Sequence, residues 1–349
     1  MGYNLPKSTS EKFTLYNFLM TCSIVIYHSG SFTAAKFLNT LDENIYTFIW
    51  KFFDNIGSLA MSFFFTTTGF FLYYNLNEKN VGKKLSRRIH SLLIPFLLWN
   101  LIYYILPIPN KGDFNLTEIL RRLIIDPFDG PLWYMLVIGL LAIFCPIFIK
   151  IFKHKKTSIC LYIVLCLLCF YFTCYNLDPI LNCCTYGWYI ERIVRYLPNY
   201  FIGALIGNFC PSLLDKDNKF LIYSSRLLFV LCFIILGSGY KQDSLFWCIN
   251  RILPLLMWFT VSSSSKLLKL SSSNLFKSSF MIYALHGFIL YQIDPIIFNT
   301  PILLNNLSTY TVIAIRLSKF FIIVLISYLL YIILYKLCPK LLKLLTGGR

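Results

Sequence analysis

Apolar residues run along this chain in long stretches, near 13–31, 55–76, 89–107, 132–150, 157–175, 197–213, 220–237, 246–265, 278–297 and 317–335. Each is close to the ~20 residues that an α-helix, rising ~1.5 Å per residue, needs to cross a ~30 Å hydrocarbon layer. None alternates with a period of two. Backbone amides inside a bilayer must find partners within their own segment or in a closed barrel, so these stretches predict helices. The expected architecture is all-α, a polytopic membrane bundle of about ten transmembrane helices forming one domain over residues 1–349. The longest intervals, 107–131 and 176–197, are too short for a separate globular domain. The first run has no small-residue cleavage site behind it and is expected to stay as a helix.

The polar positions between the stretches give an orientation. Lysine and arginine total 32, and they gather at the stretch ends in alternate connections. One set, including Lys7, Lys12, Lys83, Lys84, Arg87, Arg88, Lys153, Lys219, Lys269 and Lys340, holds twenty cations. The other holds ten: Lys36, Lys51, Lys111, Arg121, Arg122, Arg192, Arg195, Lys241, Arg316 and Lys319. Most carboxylates fall with the second set. The excess of cations on cytoplasmic connections then places both termini in the cytoplasm. Arg316 and Lys319 run against the rule, because they open the last span from the outer face.

Composition narrows the class further. Charged residues are 13% of the chain, against ~25% in a soluble protein, which excludes a soluble domain. The net charge of +17 follows from the orientation bias, so membrane lipids and not nucleic acid are the expected partners. Twelve cysteines, most inside apolar runs, show no metal-ligand spacing, and no metal is expected. Cys183-Cys184 is a vicinal loop pair, poorly shaped for a disulfide.

Ionisable groups at membrane depth are costly and mark pathways or sites. His28, near the outer end of the first span, and His286, inside the ninth, are such groups; a hydrogen bond to a neighbouring helix is the alternative role for each. His90 and His154 sit in basic connections. Asp294 before Pro295 reads as a helix-end cap at the outer surface or a proton-relay element. Arg226 and Arg251 either snorkel or pair within the bundle. FFFTTTGFFLYY (63–74) and YFIGALIGNF (200–209) carry the small residues of close helix contacts. KKLSRRIHSLLIPFLLWN (83–100) puts cations before a span that a proline interrupts, and GPLWYM (130–135) opens a span with Trp133 and Tyr134 as an aromatic belt pair at the outer interface.

Taken in order, these segments resemble the acyltransferase-3 family of bacterial membrane proteins. His28 is similar to the family's histidine after its first apolar run, and FFFTTTGFF to its Phe-Phe-x-x-Ser-Gly-Phe segment. Arg88 followed by Pro95 resembles the Arg-rich approach to the third span, LWY (132–134) the Leu-Trp-Phe segment, YFIGALIG the Phe-x-x-Gly stretch and FMIYALH the Tyr-x-x-His. The likeness covers residues 13–290. Asn17, eleven residues before His28, stands where the family carries arginine or lysine. Thr68 replaces its serine and Tyr134 its phenylalanine.

The resemblance implies a membrane O-acyltransferase that moves an acyl group, acetyl in the usual case, from acyl-CoA (acetyl-CoA) to a hydroxyl of a glycan or lipid-linked sugar. It implies a place in the bacterial inner membrane, as a homo-oligomer or within a polysaccharide-synthesis complex. An uncharged imidazole can take the hydroxyl proton, so His28 is the expected catalytic base or transient acyl carrier. Arg88 is expected to meet the donor's phosphates, and Arg192 beside Glu191 to line the acceptor's way in. Trp133, Tyr134, His286 and Asn17 complete the expected substrate-binding set. Two other readings stand beside this one: a transporter or flippase for an exported solute, and a non-catalytic partner of a polysaccharide synthase.

Overall fold

The computed structural model describes residues 5–37, 43–106, 115–174, 186–214, 217–237, 243–298 and 309–348. Among them the chain is helical, with no strand. The helices are α1 (Lys7–Phe37), α2 (Glu43–Tyr73), α3 (Val81–Arg88), α4 (Ile94–Ile105), α5 (Leu116–Ile124), α6 (Trp133–Ile143), α7 (Cys145–Phe152) and α8 (Lys155–Cys174). They continue as α9 (Gly187–Phe209), α10 (Lys219–Gly237), α11 (Asp243–Thr260), α12 (Asn274–Lys277), α13 (Ser279–Phe298), α14 (Thr309–Leu337) and α15 (Pro339–Thr346). In its described residues each of the ten apolar stretches falls mainly on helix. Among the described residues five helical spans are long and apolar enough to cross a membrane: Phe52–Tyr73, Val81–Ile105, Lys155–Phe172, Ser279–Ile297 and Tyr310–Leu337. Gly130–Ile143 and Cys145–Phe152, bent by 54°, make a sixth if they form one span. Cys183 and Cys184 lie outside the described residues.

Two compact units emerge. The first gathers the described parts of Met1–Met20, Ser58–Leu85 and Leu140–Ser272. Its centre is the approach of α2 to α9, where glycines bring backbones together. A Cβ built on Gly203 would stand 1.9 Å from the Thr66 carbonyl oxygen, and one on Gly69 would stand 2.0 Å from that of Tyr200. Aromatic rings fill the space around this contact: Phe65 stacks on Tyr196 at 4.9 Å, and Phe13, Phe70 and Trp258 meet at 5.4 Å. Asn199 crosses to the Asn250 carbonyl at 3.3 Å. Connections assigned to one side of the membrane meet here, Glu78 with Lys153 at 2.7 Å and Lys12 with Asp217 at 3.8 Å. The two span arginines are both engaged: Arg226 donates to the Thr260 carbonyl at 2.7 Å, and Arg251 to Cys169 Sγ at 3.2 Å and to the Arg195 carbonyl.

The second unit gathers the described parts of Thr21–Gly57, Ser86–Gly139 and Ser273–Arg349. The proline interruption appears as a π turn over Ile89–Leu93 that leads into α4. Pro95 has no N–H, so the Ser91 carbonyl four residues back loses its usual helical donor. The end of α15 packs over that carbonyl: Gly347 is left-handed, with φ 67°, and a Cβ on it would lie 2.5 Å from Ser91 O. Trp99 ties the same junction by donating to the Leu345 carbonyl at 3.0 Å. Arg121 and Arg122 on α5 both pair with Glu118, at 2.8 and 3.0 Å.

Arg316 and Lys319, anomalous in the charge pattern, are buried inside this unit at 6% and 1% exposure. Lys319 meets Asp294 at 2.9 Å. Asp294 is therefore half of a buried ion pair and not a cap at the outer surface. Burial explains the anomaly, because a cation neutralised inside the bundle does not vote on orientation.

Candidate active site

His28 lies on α1 and His286 on α13, and the second unit brings their rings to 5.1 Å between centroids, tilted by 45°. His286 is fully buried and His28 half-buried. The His286 ring meets the Tyr283 carbonyl one turn back, with Nδ1 at 2.5 Å from the oxygen. A carbonyl only accepts, so Nδ1 carries the hydrogen. In the uncharged ring Nε2 then keeps its lone pair, and this buried nitrogen has no hydrogen-bond partner.

Helix α1 is held in place around His28 by a cation. Arg316 on α14 donates from Nε to the Ile26 carbonyl at 2.9 Å and from Nη2 to the Tyr27 carbonyl at 3.1 Å. Its guanidinium also stacks on the Phe53 ring, 4.2 Å from the centroid. Gly30 makes room for it: a Cβ there would stand 2.4 Å from Arg316 Cζ. Gly30→Ala is therefore expected to lower thermal stability. Alanine ordinarily gains about 1 kcal/mol over glycine in a helix. Here its methyl displaces hydrogen bonds from a charged donor, each worth about 1.5–3 kcal/mol. A rise in Tm of the detergent-solubilised variant would contradict the arrangement.

Trp133 and Tyr134 are buried, at 8% and 9% exposure, and so do not form a belt at an interface. Tyr134 meets Tyr283 edge-on at 6.5 Å, and Tyr283 in turn lies 6.0 Å from the His286 ring. The Tyr283 hydroxyl donates to the Pro131 carbonyl, which fixes the start of α6 against α13. Helix–helix packing, stronger here than the interfacial preference of aromatic side chains, turns this pair inward.

Arg88 ends α3, half-buried. It precedes by fifteen residues Tyr103, which touches α13, and that is about 20 Å of helix. Asn17 and Arg192 belong to the first unit. Glu191 pairs with Arg195 at 2.6 Å, one turn on, whereas Arg192 lies over the Trp188 ring at 4.8 Å. Arg192 and Glu191 thus have separate partners. His90 donates from Nδ1 to the Ser86 carbonyl at 2.8 Å in an exposed setting, as expected of a basic connection.

Sequence reasoning passed over two buried residues beside His286, Tyr103 on α4 and Asp129 before α6, both at 0% exposure. Tyr103 is one of two adjacent tyrosines in an apolar run, and nothing in the run sets it apart from Tyr104. Asp129 reads in sequence as one more outer-face carboxylate. Among the described residues no three of His, Cys, Asp and Glu stand close enough to hold a metal ion.

Comparison with curated proteins and with solved structures finds no match. A family model described as an acyltransferase domain matches residues 18–336, a span holding both histidines, Arg316 and the α2–α9 contact. The chain therefore belongs to the acyltransferase-3 family and is a membrane acyltransferase.

Proposed function

We propose that this enzyme moves an acetyl group from acetyl-CoA to a hydroxyl of a cell-surface or exported glycan, with His28 and His286 handling the proton. The observation that supports this reading is the imidazole pair, 5.1 Å between ring centroids, with the tautomer of His286 set by Tyr283. His28, the less buried ring, accepts the hydroxyl proton as the oxygen attacks the thioester carbonyl carbon. His286, uncharged and 5.1 Å away between ring centroids, puts no second positive charge beside the imidazolium so formed at His28. When the tetrahedral intermediate collapses, the carbon–sulfur bond breaks, and His28 returns its proton to the departing CoA thiolate. Atoms balance as glycan alcohol plus acetyl-CoA giving acetyl ester plus CoA.

Arg88 lies about one bilayer leaflet along the α3–α4 rod from Tyr103. An extended pantetheine arm can cover that distance, which favours Arg88 as the residue meeting the donor's phosphates at the cytoplasmic face. The orientation bias supports a bacterial cytoplasmic-membrane enzyme with both termini inside and about ten spans. Transfer chemistry, established by the family, removes the ground for a carrier.

CoA release from acetyl-CoA over isolated cell-envelope glycans tests the reading. His28→Gln is expected to slow release by about 10²- to 10⁴-fold at equal protein level. His154→Gln, in an exposed connection, is expected to leave it unchanged. Undiminished release by H28Q would remove His28 from the chemistry.

A further inference from the structure

The Tyr103 hydroxyl makes an unusual pair of contacts with the helix that bears His286. It donates to the Ala284 carbonyl at 2.8 Å and accepts from the Phe288 N–H at 3.0 Å. Residues 284 and 288 are the two ends of one helical rung, and His286 is the middle residue of that rung. A side-chain hydroxyl at both ends of a rung is one of the recognised causes of local helix distortion. The phenol is fully buried, so neither bond exchanges with water.

Asp129 presses on the same turn from another side. A Cβ built on Gly287 would stand 2.3 Å from Asp129 Oδ1 and 3.0 Å from Oδ2, so only glycine admits the carboxyl group here. Asp129 also lies beside the Tyr103 hydroxyl, yet neither of its oxygens has a hydrogen-bond partner. A phenol has one proton, and Ala284 takes it. The turn carrying His286 is thus gripped by α4 through Tyr103 and by the segment before α6 through Asp129 and Pro131. Such a grip fixes how far the Tyr283 carbonyl stands from the His286 ring, since residue 283 adjoins the rung.

We infer that Tyr103 is a positioning residue for His286: by clasping the 284–288 rung it holds the Tyr283 carbonyl against Nδ1 and so keeps the lone pair on Nε2. This rests on the proposed role of His286, but its test does not need that role to be right. The chain has only four histidines, so ¹⁵N-histidine labelling of the full-length protein in lipid nanodiscs gives a readable spectrum. His286→Gln identifies the His286 signals by their loss.

In the wild type, His286 is expected to show one protonated and one unprotonated nitrogen, a single tautomer. In Tyr103→Phe that pattern is expected to collapse toward an average of the two tautomers, while His90 and His154 keep their signals. CoA release from acetyl-CoA over cell-envelope glycans is expected to fall about 10²-fold in kcat, the scale of a small misplacement at a reacting centre, with KM for acetyl-CoA unchanged. If Y103F does not fold, Tyr103→Leu also removes the hydroxyl and gives the same spectroscopic readout. Unchanged His286 signals in a folded variant lacking the hydroxyl, or mixed tautomers in the wild type, would overturn the inference. Wild-type protein that shows the single tautomer but releases no CoA would instead sink the proposed function and leave Tyr103's role standing.

Discussion

Replacing Lys319 with methionine is expected to destabilise the protein by about 3–5 kcal/mol, the cost of stranding one partner of a buried ion pair. The lysine is 1% exposed and its partner Asp294 is 6% exposed, so solvent does little to replace the lost contact. One carboxylate oxygen of Asp294 already lacks a partner, and the other depends on Nζ at 2.9 Å. The double variant Lys319→Met with Asp294→Leu is expected to recover most of the loss, because no orphan charge remains and the volume is filled by apolar atoms. Thermal or denaturant unfolding in detergent, read for both variants, decides the matter. Equal losses in single and double variants would show that packing, not charge pairing, holds this site.

Gly203→Leu is expected to abolish the folded first unit. Even a single Cβ would stand 1.9 Å from Thr66 O and 2.7 Å from Thr66 C, and these are backbone atoms of a neighbouring helix. A flexible side chain can swing away from such a clash, whereas here α2 and α9 must separate along their length. Overpacking of side chains alone costs about 1–3 kcal/mol, and this adds the loss of a backbone-to-backbone interface. Gly207 lies one turn on, where a Cβ would stand 2.5 Å from Phe70 O, so the interface offers no relief in that direction. The yield of monodisperse protein on size exclusion gives the readout, and Gly82→Leu, at a glycine with nothing near it, is the matched control. Normal yield from G203L would refute the close approach.

Much of the fold was legible because hydrophobic length is a strong signal. In its described residues every apolar stretch lands mainly on helix, and the glycines four apart in 200–209 do mark a contact. Helix ends were less legible: α9 begins at Gly187, ten residues before its apolar stretch, because polar residues such as Glu191 and Arg195 pair along the helix and carry it further. The charge pattern misread Arg316, Lys319 and Asp294, since side-chain burial is decided by neighbours distant in the chain. The same holds for Trp133 and Tyr134. His28 and His286 were each visible as membrane histidines, and a family resemblance singled them out, but their adjacency is a tertiary fact. Tyr103 and Asp129 carried no signal, because their roles come from what a separate helix presents to them.

Construction of the second unit from three separated stretches of chain has a consequence for biogenesis. His286 is translated 258 residues after His28, and Arg316 follows later still. At about 5–20 residues per second, the ribosome delivers the second imidazole roughly 13–50 s after the first. Throughout that interval the carbonyls of Ile26 and Tyr27 and the open notch at Gly30 wait without their guanidinium. Nascent chains arrested before Arg316 are thus incomplete at the very helix that synthesis makes first, and membrane quality control meets a half-built catalyst.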